Sequence, residues 1–435
     1  MRSLFTLSLA FLPLAVTTAL ADSPQATPEV WPQFRGPGGA GLSSSKNVPA
    51  NWSRTENVIW RTELGSGHSS PVIWADRIFL TVFKGSAQAL ATPPRSLRER
   101  LLGGVPQRGE LWTVCLNRAD GKVLWEKKCP ASLIETVHQT SNPASSSPVT
   151  DGEHVWVYFG SHGVLCYDLA GNVAWEKPLG PFKNAWGASG SSPALYNDSL
   201  ILNLNNDDQA FVLALDKRTG QQKWKTDRVS QRSYATPMFW NVDGRRQLII
   251  NGAEQVTAYD PDTGKEIWSC GGLTKFVNPT PVAGHGLLFA GANGPGGSVV
   301  MAIKPGGRGD ITGSHVAWQN FGQAPYVPSP LQVGDYLFVV KNGGVATCFE
   351  ARTGKVMWKE QLTAKGNYYV SPVHADGKVF VANERDGAFT VFAASPTFKI
   401  LACPVMGERT MATPAIVEGR IYLRTEKALY CIGAK

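Results

Sequence analysis

Side chains that could bind a ligand are spread along the chain in short polar loops instead of forming one compact motif. Carboxylate and amide oxygens suit calcium, arginine suits an anion, and a carboxylate such as Asp207 or Glu254 could act as a general base. Gathered in one place, these groups would bind a polar anionic ligand. The candidates are His68, Asn142, His162, Tyr234, Glu254, Asn278, Asn293, Asn342, Arg385 and Arg424, with the run Asn205-Asn206-Asp207-Asp208.

The same residue types have structural roles that are more frequent. Asn-Asn-Asp-Asp is a common turn composition, and here it lacks the spacing of a calcium-binding EF-hand loop. The seven histidines show no metal-ligand spacing, and residues such as His68 and His138 are more often loop hydrogen-bonders than catalysts. No nucleophile elbow, phosphate loop or zinc motif occurs. The sequence therefore predicts no metal site.

An eleven-residue pattern indicates the elements that must position these residues. At 258–268 a small residue precedes an Asp-Pro-Asp-Thr-Gly turn, and a tryptophan follows. Asp260 can accept hydrogen bonds from turn N–H groups, and Gly264 supplies the positive φ that the turn needs. Recurrence at a fixed period indicates a repeat architecture. The tryptophans predicted to pack one repeat on the next are Trp60, Trp125, Trp175, Trp224, Trp268, Trp318 and Trp358.

Eight Ser/Thr-Pro pairs open eight repeats of roughly 45 residues, the length of a four-stranded propeller blade. Proline has no N–H to donate and suits the first residue of a strand. The pairs are Ser70-Pro71, Ser147-Pro148, Ser192-Pro193, Thr236-Pro237, Thr280-Pro281, Ser329-Pro330, Ser371-Pro372 and Thr413-Pro414. Only three strands fit after the last pair, so the strand around Trp60 must complete that blade. Leu401 stands where the seventh blade should have its tryptophan.

These repeats predict an all-β fold, an eight-bladed β-propeller of four-stranded antiparallel blades whose last blade is closed by the N-terminal strand. The propeller takes residues 57–435 as a single domain, with an insertion at 84–110 in the first blade. Residues 22–56 form an N-terminal strap that contains Trp-Pro-Gln-Phe-Arg-Gly-Pro at 31–37. We expect the strap to pack across the propeller. The polar loops listed above should gather at one mouth of the central channel.

The turn pattern resembles the tryptophan-docking motif of β-propellers of the pyrroloquinoline-quinone (PQQ) type. The resemblance covers nearly the whole chain after its first segment and implies the propeller fold. This family includes quinoprotein alcohol dehydrogenases and non-enzymatic BamB-type propellers of outer-membrane assembly. Because the motif packs blades and carries no chemistry, the resemblance leaves the function open.

Two functions remain in competition, with a lyase or hydrolase as a third for which no motif appears. The favoured one is a non-catalytic binding or scaffold module for a protein or polysaccharide. The resemblance implies that a quinoprotein dehydrogenase would carry two adjacent cysteines, and this sequence has no such pair. The alternative is a PQQ- and calcium-dependent dehydrogenase of alcohols or sugars, with Asp207 or Glu254 as the base. We expect no cofactor unless that alternative holds.

The first segment, residues 1–21, is predicted to be a secretory signal peptide. Arg2 precedes an apolar stretch, and Ala19-Leu20-Ala21 is a small-residue cleavage site. A membrane anchor is less favoured because the stretch is short and contains Pro13. Cleavage after Ala21 would place the protein in a periplasm or outside the cell, with no transmembrane segment.

Charge and cysteine usage narrow the partners. The 42 basic and 34 acidic residues give a net charge of +8, and the basic residues are too scattered for nucleic-acid binding. We therefore expect no nucleic-acid partner. We also expect the protein to be a monomer. Cys115, Cys166, Cys348 and Cys431 occupy the small core position of the repeat, too far apart for disulfides. The state of Cys129, Cys270 and Cys403 stays open at this point.

Overall fold

The structure is a computed structural model that describes residues 29–85, 109–130, 134, 137–138, 140–182, 190–206, 208–229 and 233–434. Within these residues the strands form eight separate antiparallel sheets, which are the blades of a ring. The predicted eight-bladed propeller is therefore confirmed. The expected signal peptide and most of the expected insertion in the first blade lie outside the described residues.

Each blade runs from an innermost first strand, at the channel, to an outermost fourth strand. Blade 1 contains β2 (Val72–Trp74), β3 (Arg77–Gly85), β4 (Gly109–Asn117) and β5 (Val123–Lys128), and blade 2 contains β6 (Val149–Thr150), β7 (His154–Tyr158), β8 (Val164–Asp168) and β9 (Val173–Lys177). Blade 3 contains β10 (Ala194–Tyr196), β11 (Ser199–Asn205), β12 (Ala210–Asp216) and β13 (Gln222–Asp227), and blade 4 contains β14 (Met238–Val242), β15 (Arg245–Asn251), β16 (Gln255–Tyr259) and β17 (Glu266–Gly271).

The other four blades continue in the same order around the ring. Blade 5 contains β18 (Val282–Gly284), β19 (Leu287–Gly294), β20 (Gly297–Ile303) and β22 (Val316–Phe321), and blade 6 contains β23 (Leu331–Val333), β24 (Tyr336–Val340), β25 (Val345–Glu350) and β26 (Val356–Gln361). Blade 7 contains β27 (Val373–Ala375), β28 (Lys378–Ala382), β29 (Phe389–Ala393) and β30 (Ile400–Ala402), and blade 8 contains β31 (Ala415–Val417), β32 (Arg420–Arg424), β33 (Ala428–Ile432) and β1 (Val58–Glu63).

The N-terminal strand closes the ring as predicted. Strand β1 pairs antiparallel with β33, with Trp60 opposite Cys431. The first and last parts of the propeller are thus held in one sheet, and a closed ring leaves no open seam at which blades could separate.

The repeated turn has the expected chemistry. The Asp260 carboxylate accepts hydrogen bonds from the N–H groups of Asp262 and Thr263, at 3.0 and 2.9 Å. Gly264 has a φ of 71°, and a Cβ there would lie 2.4 Å from Cε3 of Trp224 in the preceding blade. Only glycine meets both the backbone and the steric requirement.

Most seams between blades share one polar contact, in which a fourth-strand tryptophan donates its Nε1–H to a backbone carbonyl in the turn of the next blade. The pairs are Trp60 with Arg118 (3.1 Å), Trp125 with Leu169 (3.0 Å), Trp175 with Lys217 (3.0 Å), Trp224 with Pro261 (3.1 Å), Trp318 with Ala351 (2.9 Å) and Trp358 with Ser395 (3.0 Å). The indole also covers apolar surface, so each seam gains packing and a satisfied donor.

Two seams differ, and topology explains both. The turn of blade 5 is lengthened into the short strand β21 (Gly309–Asp310), which adds parallel to β17, and a single-turn helix at Thr312–His315. Trp268 instead donates to Oε1 of Gln247 in its own blade, at 2.9 Å. Blade 8 takes its fourth strand from the N-terminus, so it has no third turn for a tryptophan of blade 7 to contact. The expectation that Leu401 stands at the tryptophan position of blade 7 is wrong by one residue. Ala402 faces Val391 there, as Trp358 faces Cys348 in blade 6, because the register shifts at the same point in both blades.

The strap lies inside the channel. Trp31 pairs with Ile73 of blade 1, and the Thr150 N–H of blade 2 donates to Pro32 O at 2.9 Å. On the other side of the strap, the His374 N–H of blade 7 donates to Gly41 O at 2.8 Å. These partners belong to innermost strands or follow the Ser/Thr-Pro pairs directly. The strap therefore fills the channel just below those pairs.

All seven cysteines are free thiols, six of them buried and Cys403 exposed. Burial raises the pKa of the Cys115 and Cys348 thiols to about 12, so they remain protonated core groups. No helix in the described residues is long and apolar enough to cross a membrane.

Candidate binding cup in the central channel

The channel opens into a cavity of about 610 Å³ whose base is a ring of eight hydroxyl groups, one from each Ser/Thr-Pro pair. All eight residues are at least nine-tenths buried. Their positions are Ser70, Ser147, Ser192, Thr236, Thr280, Ser329, Ser371 and Thr413. We call this set the hydroxyl ring and the cavity above it the cup.

Neighbouring blades are joined through the hydroxyl ring. The Ser147 N–H donates to the Oγ of Ser192 at 3.0 Å, and the Ser329 N–H donates to the Oγ of Ser371 at 3.0 Å. Seven such bonds, of 2.9–3.2 Å, run in the same direction around the ring. Proline at the next position lacks an N–H, which leaves this single donor to face the neighbouring blade.

The ring hydroxyls use only part of their hydrogen-bonding capacity on the protein. A hydroxyl offers one donor and two acceptor positions. Seven of the eight accept a bond from the preceding blade, and among the described residues none of the eight donates one. The base of the cup therefore presents O–H donors to whatever occupies it.

A second ring lies above the first and differs from blade to blade. In an extended chain, residues two apart point to the same side, and the residue two positions before each ring hydroxyl lines the cup in every blade. In blade order these residues are His68, Ser145, Gly190, Tyr234, Asn278, Val327, Tyr369 and Met411. We call this set the upper ring.

Loops and the strap complete the cup. Phe34 of the strap reaches the cavity from below, while Phe276, Pro295 and Tyr326 add apolar surface on the side of blades 4 to 6. His138 lies between blades 1 and 2, where its Nδ1 accepts a bond from the Thr140 N–H at 3.3 Å. The cup thus has aromatic walls over a polar base.

The described lining carries no Asp, Glu, Lys or Arg. Burial, together with the guanidinium groups of Arg409 and Arg424, lowers the pKa of His68 to about 3. Burial likewise raises the pKa of Tyr369 to about 12. At neutral pH both groups are uncharged, so the described lining of the cup forms hydrogen bonds without carrying a charge.

Three of the fourteen residues proposed from sequence line the cup, namely His68, Tyr234 and Asn278. Asn278 is held in place because its Nδ2 donates to Tyr326 O at 2.9 Å. The Tyr234 N–H donates to Val277 O at 2.9 Å, which links two adjacent loops. These three belong to the upper ring.

Two other candidates are buried in structural roles. Asn142 donates from Nδ2 to Ser66 Oγ at 3.0 Å and accepts from the Ala144 N–H at 2.8 Å. The Arg424 side chain joins blade 8 to blade 1 by donating from Nη1 to the Thr81 carbonyl at 2.7 Å and to Ser69.

The remaining described candidates do not line the cup, and they include His162, Asn205, Asn206 and Asn293. Asp208, Glu254 and Arg385 are exposed, and Arg385 lies 3.6 Å from the carboxylate of Asp386. Asn342 is half-buried in the loop between β24 and β25. Asp207 lies outside the described residues.

Sequence reasoning missed most of the upper ring. Ser145, Gly190, Val327, Tyr369 and Met411 were not proposed, because a search for chemically reactive types passes over them. The signal was present nevertheless: reading two residues back from each Ser/Thr-Pro pair finds all eight positions.

The donor set does not fit calcium or PQQ. Calcium takes six to eight oxygen ligands with carboxylates among them, and no carboxylate lines the described cup. Across the described residues, no group of three or more His, Cys, Asp or Glu side chains is placed to hold a metal ion. PQQ carries carboxylates, and the described lining offers them no cation.

Fold and cup define the class: a ring-closed, eight-bladed propeller with a lined channel. The family described as outer membrane protein assembly factor BamB matches residues 47–236, 208–304 and 296–397. The chain therefore belongs to this PQQ-like β-propeller family.

Solved structures share the fold at low sequence identity. BamB from Moraxella catarrhalis is 14% identical with a TM-score of 0.58, covering 86% of this chain and 98% of BamB. The quinohemoprotein alcohol dehydrogenase from Comamonas testosteroni is 11% identical with a TM-score of 0.58, covering 94% and 81%. Such distant likeness shows the fold alone.

One curated relative matches over a shorter stretch. Tetrathionate hydrolase from Acidianus ambivalens is 26% identical over 138 residues, which is 27% of this chain. The match spans only 26% of that relative's own length.

Proposed function

We propose that this protein is an exported, non-catalytic binding module that receives part of a protein or polysaccharide partner in its cup. The observation that carries the proposal is the uncharged lining, in which hydroxyls, phenols, an amide and neutral imidazoles surround a cavity of about 610 Å³. Cavities of this size bury small ligands or a protruding part of a larger one.

The lining provides recognition without a base or metal ligand. His68, with its pKa near 3, would be a weak base at neutral pH. Glu254 is exposed on the turn between β15 and β16 and does not line the cup. Family membership is compatible with this reading, because the matching description is of an assembly factor.

The test sets the binding module against the dehydrogenase. Purified protein is titrated with PQQ and calcium by calorimetry and then assayed for dye reduction with alcohols and sugars. We expect no saturable heat and no turnover. Saturable binding with turnover that depends on both additions would overturn the proposal.

Export is the second part of the proposal, and it rests on the first 21 residues. Expression in a bacterial host with fractionation should give a periplasmic protein that begins at Asp22, which intact-mass measurement would detect. A protein retained in the cytoplasm with Met1 still present would contradict export and leave the role of the cup untouched.

A further inference from the structure

We propose that the upper ring is the specificity layer of the cup and that its ligand is an uncharged, hydroxyl-rich molecule of the saccharide class. This inference rests on the proposed function and deepens it. One residue per blade stands at an equivalent position above a base that is hydroxyl in every blade. The base is common to all blades, so discrimination between ligands falls to the ring that varies.

The construction of the two rings explains this division. The hydroxyl ring is fixed by its structural task, since each hydroxyl accepts the N–H of a neighbouring blade. The side chains two positions earlier do not accept these N–H groups, although Asn278 donates to Tyr326 O and Ser145 to Asn142 O. Tyr369 and Met411, for example, can change without removing a bond between the blades, as the backbone and the hydroxyl below supply it.

The upper ring is asymmetric, and this gives the cup a shape. Blades 2 and 3 contribute the small residues Ser145 and Gly190, whereas blades 4 and 7 contribute Tyr234 and Tyr369. Among the described residues, the side chains of the upper ring therefore leave more room beside blades 2 and 3 than beside blades 4 and 7. A ligand would be accommodated on that side and would meet aromatic groups on the other.

The chemistry of the lining selects an uncharged ligand. An ion that entered this site would lose its hydration and gain no counter-ion from the described lining. This loss of hydration costs several kcal/mol. A saccharide has hydroxyls that both donate and accept, matching the unspent donors of the hydroxyl ring. Its C–H faces suit the aromatic surfaces of Phe276, Tyr326 and Tyr369.

The inference is tested by calorimetry and thermal shift on the full chain with neutral mono- and disaccharides, next to glucuronate and glucosamine as charged counterparts. We expect one or more neutral sugars to bind and the charged counterparts to bind at least about tenfold more weakly. Oligosaccharides with free and blocked ends then distinguish a free sugar from the end of a polysaccharide.

Ser145→Trp fills the small side of the cup and should weaken saccharide binding at least about tenfold. Gly313→Trp is the matched control, because a Cβ at Gly313 meets nothing within 4 Å. Should Ser145→Trp give no cooperative melt, Met411→Trp replaces it from blade 8, two blades away in the upper ring.

Three results would overturn the inference. One is that no neutral saccharide binds, another is that glucuronate or glucosamine binds better, and the third is that binding is unchanged in both cup variants. A charged ligand whose binding Ser145→Trp abolishes would remove the saccharide assignment and leave the binding module standing. Turnover with PQQ and calcium would instead remove the proposed function itself.

Discussion

The seams between blades and the upper ring of the cup use the same repeat in opposite ways. At six seams a tryptophan donates to the turn of the next blade over nearly the same distance, 2.9–3.1 Å. In the upper ring, the position two residues before each ring hydroxyl carries residues as different as Gly190 and Tyr369. The positions that join the blades repeat one chemistry, whereas the positions of the upper ring differ from blade to blade.

The seams themselves show how strictly this constraint follows geometry. Where blade 8 lacks a third turn, Ala402 stands at the tryptophan position of blade 7. Where the turn of blade 5 is lengthened, Trp268 donates to Gln247 instead. The residue type changes, or its partner does, only where the turn it would contact is missing or altered.

The largest expected effect comes from removing a docking tryptophan. Trp224→Ala deletes a buried indole that donates to Pro261 O and covers Gly264. We expect the free energy of unfolding to fall by about 3–5 kcal/mol, measured by urea denaturation. Val173→Ala, at an exposed site on β9, should change it by less than about 0.5 kcal/mol. Equal losses in the two variants would contradict a special role for the seam.

A glycine pair isolates the steric part of the seam. Gly264 and Gly244 have φ values of 71° and 76°, so alanine is strained at both, at about 1–2 kcal/mol. Only at Gly264 would the new Cβ meet the tryptophan, whereas nothing lies within 4 Å of it at Gly244. Gly264→Ala should therefore lose about 1–3 kcal/mol more than Gly244→Ala. Equal denaturation midpoints would refute the contact.

The cup is tested through pH. The pKa of His68 is about 3 in the folded protein against an ordinary value of 6.5, so the unfolded chain takes up a proton that the native protein excludes. This contribution to stability is present above pH 6.5 and is lost as the pH falls towards 3. His68→Asn should make the fall in stability shallower there, by at most about 1.4 kcal/mol per pH unit. Parallel pH profiles of the two proteins would show that His68 is not held neutral.

The smallest expected effect is at the irregular seam. Ala402→Trp places a tryptophan opposite Val391, where the other blades have theirs, but it meets no third turn in blade 8. We expect the free energy of unfolding, measured by urea denaturation, to change by no more than about 0.5 kcal/mol, as for a surface substitution. A clear stabilisation would mean that the tryptophan finds another partner and that the turn is not what decides the seam.

Much of the architecture could be read from local patterns. Asp260, Gly264 and the tryptophans predicted the turns and blades because each acts within a few residues or on the adjacent blade. The Ser/Thr-Pro pairs predicted where each blade starts, and the remaining strand around Trp60 predicted the closure with β33.

The candidate site was predicted less completely, for a physical reason. Polar loop residues such as Arg385 and Asp208 were grouped by chemical type, yet loops around a wide ring leave many of their side chains in solvent. The structure brings His68, Tyr234 and Asn278 to the cup because they occupy the upper ring, and it commits Arg424 to the seam between blades 8 and 1.

The sequence by itself determined the number of blades, their order and the way the ring closes, because these depend on short-range turns and a period along the chain. Only the tertiary structure decided that the strap enters the channel, that eight hydroxyls form the base of the cup, and that the described lining is uncharged. Those features depend on which residues from all eight blades point at one axis. That direction is set when the ring closes and is not contained in any single repeat.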